Sequence, residues 1–89
     1  MYHVMARLKV GDFKAWKEAY DRGRSVREAM GIRAFNLWRS VDDPQDVVLL
    51  LHATHVDKAK AYFSSDELAQ RMAAAGVTEP PELVYLADG

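Results

Sequence analysis

A nearly unbroken apolar segment, "VVLLLHATH" from Val47 to His55, constrains the fold of this chain more than any other feature. It follows the turn sequence "DDPQ" and precedes a helical pattern that begins near Asp57, so it has the length of one strand. A strand that is apolar at consecutive positions is covered on both of its faces. We therefore predict the central strand of a sheet, with a layer packed against each side of it.

Three further segments have the pattern of strands. Residues 2 to 10 alternate with the period of two that a strand requires, and Gly11 ends them. Residues 32 to 41 predict a second strand that enters the "DDPQ" turn, which makes the apolar segment its hairpin partner. The sequence "ELVYLA", which follows two prolines, predicts a short last strand.

The first helical stretch lies between the first two strands. Asp12 is a residue type favoured at helix N-caps, and Gly31 supplies the stop. Gly23 interrupts the stretch and predicts a weak point or a kink. The inward positions are predicted to be Phe13, Trp16, Tyr20, Val26 and Met30.

The second helical stretch follows the apolar strand. It begins near Asp57 and restarts at Ser64, which has the capping-box spacing to Glu67, and Gly76 ends it. The inward positions are predicted to be Ala59, Tyr62, Phe63, Leu68, Met72 and Ala75.

The order strand, helix, strand, strand, helix, strand predicts one domain, residues 1–89, of the ferredoxin-like α+β class. This βαββαβ sandwich has a four-stranded antiparallel sheet with two helices on one face.

One row of the central strand, either Val48 and Leu50 or Val47, Leu49 and Leu51, then lacks cover within the chain. Its exposure would forfeit about 25 cal/mol for each Å² of apolar surface. We expect a homodimer through the sheet face; a monomer with an exposed patch is the alternative.

Charge and composition exclude several classes of function. Twelve basic and thirteen acidic residues give a net charge of −1 without long runs of one sign, which argues against a nucleic-acid partner. The chain has no cysteine, so thiolate catalysis and sulfur-ligated metals are excluded. No apolar run approaches the roughly 20 residues of a membrane span, and the N-terminus lacks a signal-peptide pattern. We expect a cytoplasmic protein without a membrane partner.

The chain resembles the dimeric α+β barrel superfamily in "DFKAWKEAYD", "RSVDDPQDVVLLLHAT" and "DKAKAYFSSDELAQRMAAAGV" followed by "PPE". This superfamily includes antibiotic biosynthesis monooxygenase-like and small cyclase-like proteins. The resemblance implies a dimer whose two sheets form a barrel, with a pocket in each subunit between sheet and helices. In monooxygenase members an Asn, a Trp and a His or Tyr act on an activated substrate without metal or flavin. Here Asn36 is the only asparagine and Trp38 the only tryptophan on a predicted strand.

His52 is the leading candidate for proton transfer, because a neutral imidazole titrates near pH 6.5. With a four-residue hairpin loop, Val41 pairs with Asp46, and His52 lies opposite Phe35 on a face that also holds Arg33 and Arg39. With a five-residue loop, Val41 pairs with Val47, and His52 lies opposite Asn36 beside Trp38. The alternative interpretation is that His52 is half-buried and bonded to a neighbouring carbonyl or to the partner subunit.

A metal or haem site is not expected. His3 and His52 are predicted to lie roughly 16 Å apart at ~3.3 Å per residue, because we expect the first and third strands to run parallel. His55 is three residues from His52, which points the two side chains to opposite faces of a strand. Neither helical stretch has a histidine in its interior that could bind haem iron. We therefore expect no cofactor.

The remaining candidates are aromatic and basic. Trp16, Tyr20, Tyr62 and Phe63 are predicted on inner helix faces, where they form core or line a pocket. Arg24, Arg27 and Arg33 could bind a carboxylate or phosphate, or could be surface charge.

The leading functional hypothesis is a homodimer that binds a small apolar or aromatic metabolite between sheet and helices. For cofactor-independent oxygenation, isomerisation or cyclisation, His52 would transfer protons, Asn36 and Trp38 would orient the substrate, and Tyr62 would donate a hydrogen bond. Trp16, Tyr20, Phe63 and Arg33 would line the pocket. The alternative is a non-catalytic ligand-binding or interaction module.

Overall fold

The computed structural model describes all 89 residues, Met1 to Gly89. The strands are β1 (Tyr2–Lys9), β2 (Ile32–Arg39), β3 (Asp46–Ala53) and β4 (Glu82–Ala87). The helices are α1 (Phe13–Arg22), α2 (Arg24–Ala29), α3 (Val56–Phe63) and α4 (Asp66–Ala74). Each predicted helical stretch therefore forms two helices, divided at the weak point or restart that the sequence indicates.

The inward face of α2 differs from the predicted one. Asp12 caps α1 as predicted, accepting a hydrogen bond from the Ala15 amide at 3.3 Å. Arg27 follows the inward-facing Tyr20 by seven residues, or about two helical turns, so Arg27 and not Val26 continues the inward stripe of α1. Val26, predicted inward, is 38% exposed, whereas its neighbour Arg27 is only 6% exposed. The inward prediction for Val26 is therefore wrong.

The second break lies one residue later than the capping-box spacing indicates. Ser64 ends α3, and its hydroxyl donates to the Lys60 carbonyl at 2.7 Å. Ser65 has the extended backbone of an N-cap and accepts from the Leu68 amide at 3.2 Å, so it begins α4. The helix stops at Gly31 and Gly76 are confirmed by their positive φ angles of 75° and 92°.

The sheet has the strand order β2-β3-β1-β4, and every neighbouring pair is antiparallel. This confirms the ferredoxin-like α+β fold. The prediction that β1 and β3 run parallel is wrong. The crossover through α1 and α2 makes β1 parallel to β2, and the hairpin places β3 between them in the opposite direction.

The β2–β3 hairpin has neither of the two predicted registers. Arg39 pairs with Val47, and Arg33 pairs with His52. The Ser40 amide donates to the Asp46 carbonyl at 2.9 Å and closes the hairpin, which leaves Val41 fully exposed in the loop. Both predicted pairs for Val41 are therefore wrong.

A β-bulge between Ala34 and Asn36 resets the alternation of β2. Without it, Arg33 and Asn36 would lie on opposite faces; with it, Arg33, Asn36 and Trp38 all share the face of His52. Arg39 lies on the other face, with its guanidinium 3.9 Å from the centroid of the Phe13 ring. The predicted placement of Arg39 beside His52 is wrong for this reason.

The core lies between the helices and one face of the sheet. Val47, Leu49 and Leu51 of β3 are buried there, whereas Val48 and Leu50 on the opposite face are half-buried. The core consists of Val4, Ala6, Leu8, Val10, Trp16, Ile32, Val47, Leu49, Leu51, Ala53 and Ala59. The expected uncovered row of the central strand is thus the row of Val48 and Leu50.

None of the four helices combines the length and the apolar composition that spanning a bilayer requires.

Candidate functional site

The side of the sheet away from the helices, the open face, presents a large apolar surface. Several large side chains on it are well exposed to solvent. These are Met5 at 39%, Phe35 at 62%, Trp38 at 44%, Val84 at 50% and Leu86 at 42%. Val48 and Leu50 connect them across the centre of the sheet. Such a contiguous apolar patch is typical of an interaction surface.

His52 lies within an aromatic cluster at one end of the open face. Its ring stacks on Phe35, with centroids 4.4 Å apart, and meets the ring of His3 edge to face at 4.7 Å. His3 in turn forms a 2.7 Å hydrogen bond to the Asp88 carboxylate. The predicted separation of roughly 16 Å between His3 and His52 is wrong, because antiparallel pairing puts them directly opposite each other.

The open face also holds Asn36 and Trp38. Asn36 pairs with Leu50 and Trp38 with Val48, so both residues lie further along β2 than His52's partner Arg33. Val48 is four residues from His52 along β3, which separates Trp38 from His52 by about 13 Å along the sheet at 3.3 Å per residue. The structure thus brings His52, Asn36 and Trp38 to one face without bringing all three to one point. A pocket of about 210 Å³ beside His52 is lined by Arg33, Phe35 and Thr54 among others.

Tyr62 and three of the predicted pocket residues lie on the helix side of the sheet. There they line a small cavity of about 60 Å³, the inner cavity, in which 11 of 13 lining residues are hydrophobic. Trp16 stacks on Tyr20 with centroids 5.1 Å apart, and Tyr62 meets Phe63 edge to face at 5.2 Å. The sheet therefore separates Tyr62 from His52 within one subunit.

The inner cavity contains one polar atom without a partner. The Tyr20 hydroxyl is buried and makes no hydrogen bond. Burial raises the pKa of this phenol above its ordinary value, and the nearby Arg27 guanidinium opposes the rise. A buried hydroxyl without a partner costs free energy and is uncommon in folded proteins, so it is a candidate ligand contact.

Arg27 packs directly on Tyr20. Its guanidinium lies 3.9 Å from the centroid of the Tyr20 ring, and Nη1 donates to the Tyr20 carbonyl at 2.8 Å. This arginine is 6% exposed and forms no salt bridge. The sequence contains a signal for its position, since Arg27 follows Tyr20 by seven residues, or about two helical turns. Because Arg27 is charged, the apolar pattern favoured its neighbour Val26 as the inward residue.

A larger concavity, the outer groove, lies between α1–α2 and the edge strand β2. It has a volume of about 550 Å³, within the usual range of ligand pockets. Its lining residues are Lys17, Tyr20, Asp21, Arg24, Arg27, Glu28, Ile32, Arg33, Ala34, Phe35, Asn36 and Leu37. Tyr20 and Arg27 also line the inner cavity, so their side chains separate the two spaces.

The outer groove brings together two predicted residues from different parts of the chain. Arg33 and Asn36 reach it because β2 is an edge strand, whose side chains border both faces of the sheet. Ile32, Ala34 and Leu37 supply an apolar floor, and charged helix residues form the opposite wall. This arrangement suits an amphipathic small molecule, with apolar contacts on one side and charged partners on the other.

No protein-family model and no curated protein sequence matches the chain. Solved structures match it over nearly its whole length. A protein from Bordetella bronchiseptica provisionally described as an antibiotic biosynthesis monooxygenase has a TM-score of 0.77 and 17% identity, over 99% of this chain and 96% of that one. A similarly described protein from Nitrosomonas europaea has a TM-score of 0.67 and 22% identity, over 99% and 98%.

A cofactor-independent oxygenase from Streptomyces nogalater has a TM-score of 0.72 and 16% identity, over 98% of this chain and 91% of that one. At these identities the likeness establishes the fold. The structural neighbours are antibiotic biosynthesis monooxygenase-like proteins, which agrees with the resemblance in the sequence.

Proposed function

We propose that the protein is a homodimer that binds a small, mainly apolar or aromatic molecule between its helices and its sheet. The observation that carries the proposal is that the outer groove and the apolar inner cavity adjoin each other, with Tyr20 and Arg27 as their common wall. The inner cavity alone is too small for an aromatic ring, since a cavity that binds benzene measures about 150 Å³. The groove therefore holds most of the ligand.

Trp16 provides a direct test of this location. It is 3% exposed and lines the inner cavity, whereas the second tryptophan, Trp38, lies on the open face. We expect a neutral aromatic probe, 2-naphthamide, to shift the indole N–H resonance of Trp16 in ¹H–¹⁵N spectra and to leave that of Trp38 unchanged. Trp38→Phe assigns the two signals. Shifts confined to open-face residues, or the absence of any shift, would contradict the proposed site.

The homodimer is supported by the apolar open face. Five large hydrophobic side chains there are at least 39% exposed, and two half-buried ones join them. The open face of a second copy would cover this patch with the same apolar side chains. Each Å² of apolar surface removed from water then contributes about 25 cal/mol of stability. A domain of 89 residues has a small core, so this added burial is a large share of its stability.

The oligomeric state is tested by sedimentation velocity on matched variants. Leu50→Asp places a carboxylate at the centre of the open face and should yield monomer, because an unpaired buried charge is strongly unfavourable. Val41→Asp introduces the same side chain at a fully exposed position in the hairpin loop and should remain dimeric. A wild-type chain that stays monomeric at micromolar concentration would refute the dimer.

Cofactor-independent oxygenation is the second candidate function, favoured by the fold likeness to the Streptomyces nogalater oxygenase. In this reaction an activated CH₂ becomes a carbonyl: one atom of O₂ enters the substrate, the other leaves as water, and the substrate supplies all four electrons. His52 would remove the proton from that carbon, while Asn36 and Trp38 would orient the substrate. Because Tyr62 lies on the helix side of the sheet, it would not reach a substrate of His52 in the same subunit, and this step would proceed without it.

Oxygen consumption with 2-tetralone, whose CH₂ lies between an arene and a carbonyl, tests this chemistry. His52→Ala should abolish turnover and leave the dimer intact. His55→Ala, at an exposed position before α3, should retain turnover. Ligand binding without oxygen uptake by the wild-type protein would favour the alternative, a non-catalytic binding module.

A further inference from the structure

We propose that Arg27 is an anion-binding residue and that the ligand carries a carboxylate. This inference rests on the proposed binding of a small molecule between helices and sheet, and it adds the chemical group that the site recognises. The carboxylate would pair with the Arg27 guanidinium at the base of the outer groove, and the apolar part of the ligand would lie along Ala34 and Leu37.

The first argument is the burial of an unpaired charge. Arg27 is 6% exposed, yet no carboxylate forms a salt bridge with it. Charged side chains this deeply buried are nearly always paired, because their desolvation costs several kcal/mol. One of its N–H groups donates to the Tyr20 carbonyl. A guanidinium has five N–H donors, so four remain for a planar acceptor such as a carboxylate.

The second argument is the contrast with the other cations of the outer groove. Lys17 pairs with Asp21 at 2.7 Å, and Arg24 pairs with Glu28 at 2.8 Å. Arg33 has no ion pair but is exposed on the edge strand, where water solvates it. Only Arg27 combines burial with unused hydrogen-bonding capacity.

The third argument concerns the kind of anion. Asp21 and Glu28 pair with Lys17 and Arg24 in the same groove, which leaves Arg27 as the single buried cation there for an anion. A carboxylate has a single charge and matches the two parallel donors of one guanidinium. The unpartnered Tyr20 hydroxyl lies in the same wall and is available to donate a further hydrogen bond to a carboxylate oxygen.

Space for the guanidinium is provided by Gly23. A Cβ at this position would lie 3.0 Å from Arg27 Nη1, closer than side-chain carbons normally approach. Gly23, which lies between α1 and α2, therefore also leaves room for the Arg27 side chain to lie over Tyr20.

Isothermal titration with 2-naphthoate and its neutral amide, 2-naphthamide, tests the inference on the intact protein. The two probes differ in charge and share one aromatic body. The wild-type protein should bind the acid at least about tenfold more tightly, the factor expected from one charge-assisted hydrogen bond. Arg27→Met, which keeps the length of the side chain, should remove that preference and leave amide binding unchanged. Arg24→Met, on the same helix and groove, should retain it.

The outcomes separate this inference from the proposed function. Equal affinity of the wild-type protein for both probes would overturn the role of Arg27 and leave binding between helices and sheet intact. Loss of the preference in Arg24→Met as well would also overturn it, because a diffuse positive field would then suffice. Failure of both probes to bind would overturn the proposed function and the inference together. If Arg27→Met does not fold, Arg27→Lys takes its place. The ratio of the affinities for the acid and the amide, measured in the wild-type protein and in Arg27→Lys, then decides the role of Arg27.

Discussion

His3 on β1 lies directly opposite His52 on β3, and the two rings meet edge to face with centroids 4.7 Å apart. The antiparallel pairing of the two central strands imposes this contact. Phe35 covers the other side of the His52 ring, so the imidazole is held between two aromatic neighbours. The candidate proton-transfer residue therefore has a fixed orientation before any ligand binds.

The first prediction concerns the structural contribution of His52. Replacing His52 with Ala removes its contacts with His3 and Phe35 and should lower the free energy of unfolding by about 1 kcal/mol, the value of an aromatic pair. Urea unfolding at one fixed protein concentration measures the change. His55→Ala provides the control, since His55 is exposed and its side chain makes no capping hydrogen bond. Equal effects of the two substitutions would show that the stacking contributes nothing measurable.

The second prediction concerns the buried Tyr20 hydroxyl. Tyr20→Phe removes a polar atom that has no hydrogen bond, so stability should remain unchanged or rise by up to about 1–2 kcal/mol. The same substitution should weaken binding of 2-naphthoate if the hydroxyl contacts the ligand. Thermal unfolding and titration, with the exposed Tyr2→Phe as control, measure the two effects. A clear loss of stability would mean that the hydroxyl has a partner in solution.

The third prediction concerns stability at low pH. Arg7 binds Asp46 with two hydrogen bonds, of 3.0 and 2.6 Å, and this pairing lowers the Asp46 pKa below its usual value. Because the pKa is lower in the folded state, the unfolded state binds the proton more readily. The stabilising contribution is therefore complete above the unfolded pKa of about 3.8 and is lost as the pH falls through the folded value.

Thermal unfolding between neutral pH and about pH 3 tests this dependence. Asp46→Asn should lower the midpoint at neutral pH and reduce its decline in acid. Asp42→Asn, at an exposed position in the hairpin loop before β3, should reproduce the wild-type profile. An Asp46→Asn profile parallel to the wild type would show that other carboxylates cause the acid sensitivity, among them Asp43 and Asp88, whose pKa values are also lowered.

The fourth prediction concerns the link between α2 and β2. Gly31 has a φ of +75°, and a Cβ there would lie 3.4 Å from the Thr54 side chain. Gly31→Ala should lower the free energy of unfolding by about 1–2 kcal/mol, the cost of a left-handed backbone for an L residue. In Gly11→Ala the added Cβ would be 3.8 Å from the Gly76 carbonyl, an ordinary contact, and stability should change less. Equal losses would indicate that backbone conformation is not the cause.

Local sequence signals predicted the elements of the fold because they depend on neighbouring residues alone. Asp12 caps α1, Gly31 and Gly76 end helical stretches, and the prolines precede β4. The apolar run around Leu50 identified the central strand. The uncovered face followed from the count of helices, since two helical stretches cover only one side of a sheet.

The sequence by itself thus determined the order of elements, the ferredoxin-like fold and the two-sided character of β3. Only the tertiary structure decided the β1–β3 direction, the hairpin register and the bulge at Phe35. It also decided that Arg27, rather than Val26, turns inward after Gly23. Helix capping and apolar periodicity depend on the local free energy of neighbouring residues. A one-residue shift in strand register hardly changes that local free energy. It changes which side chains share a face, and the packing of the whole domain selects among those alternatives.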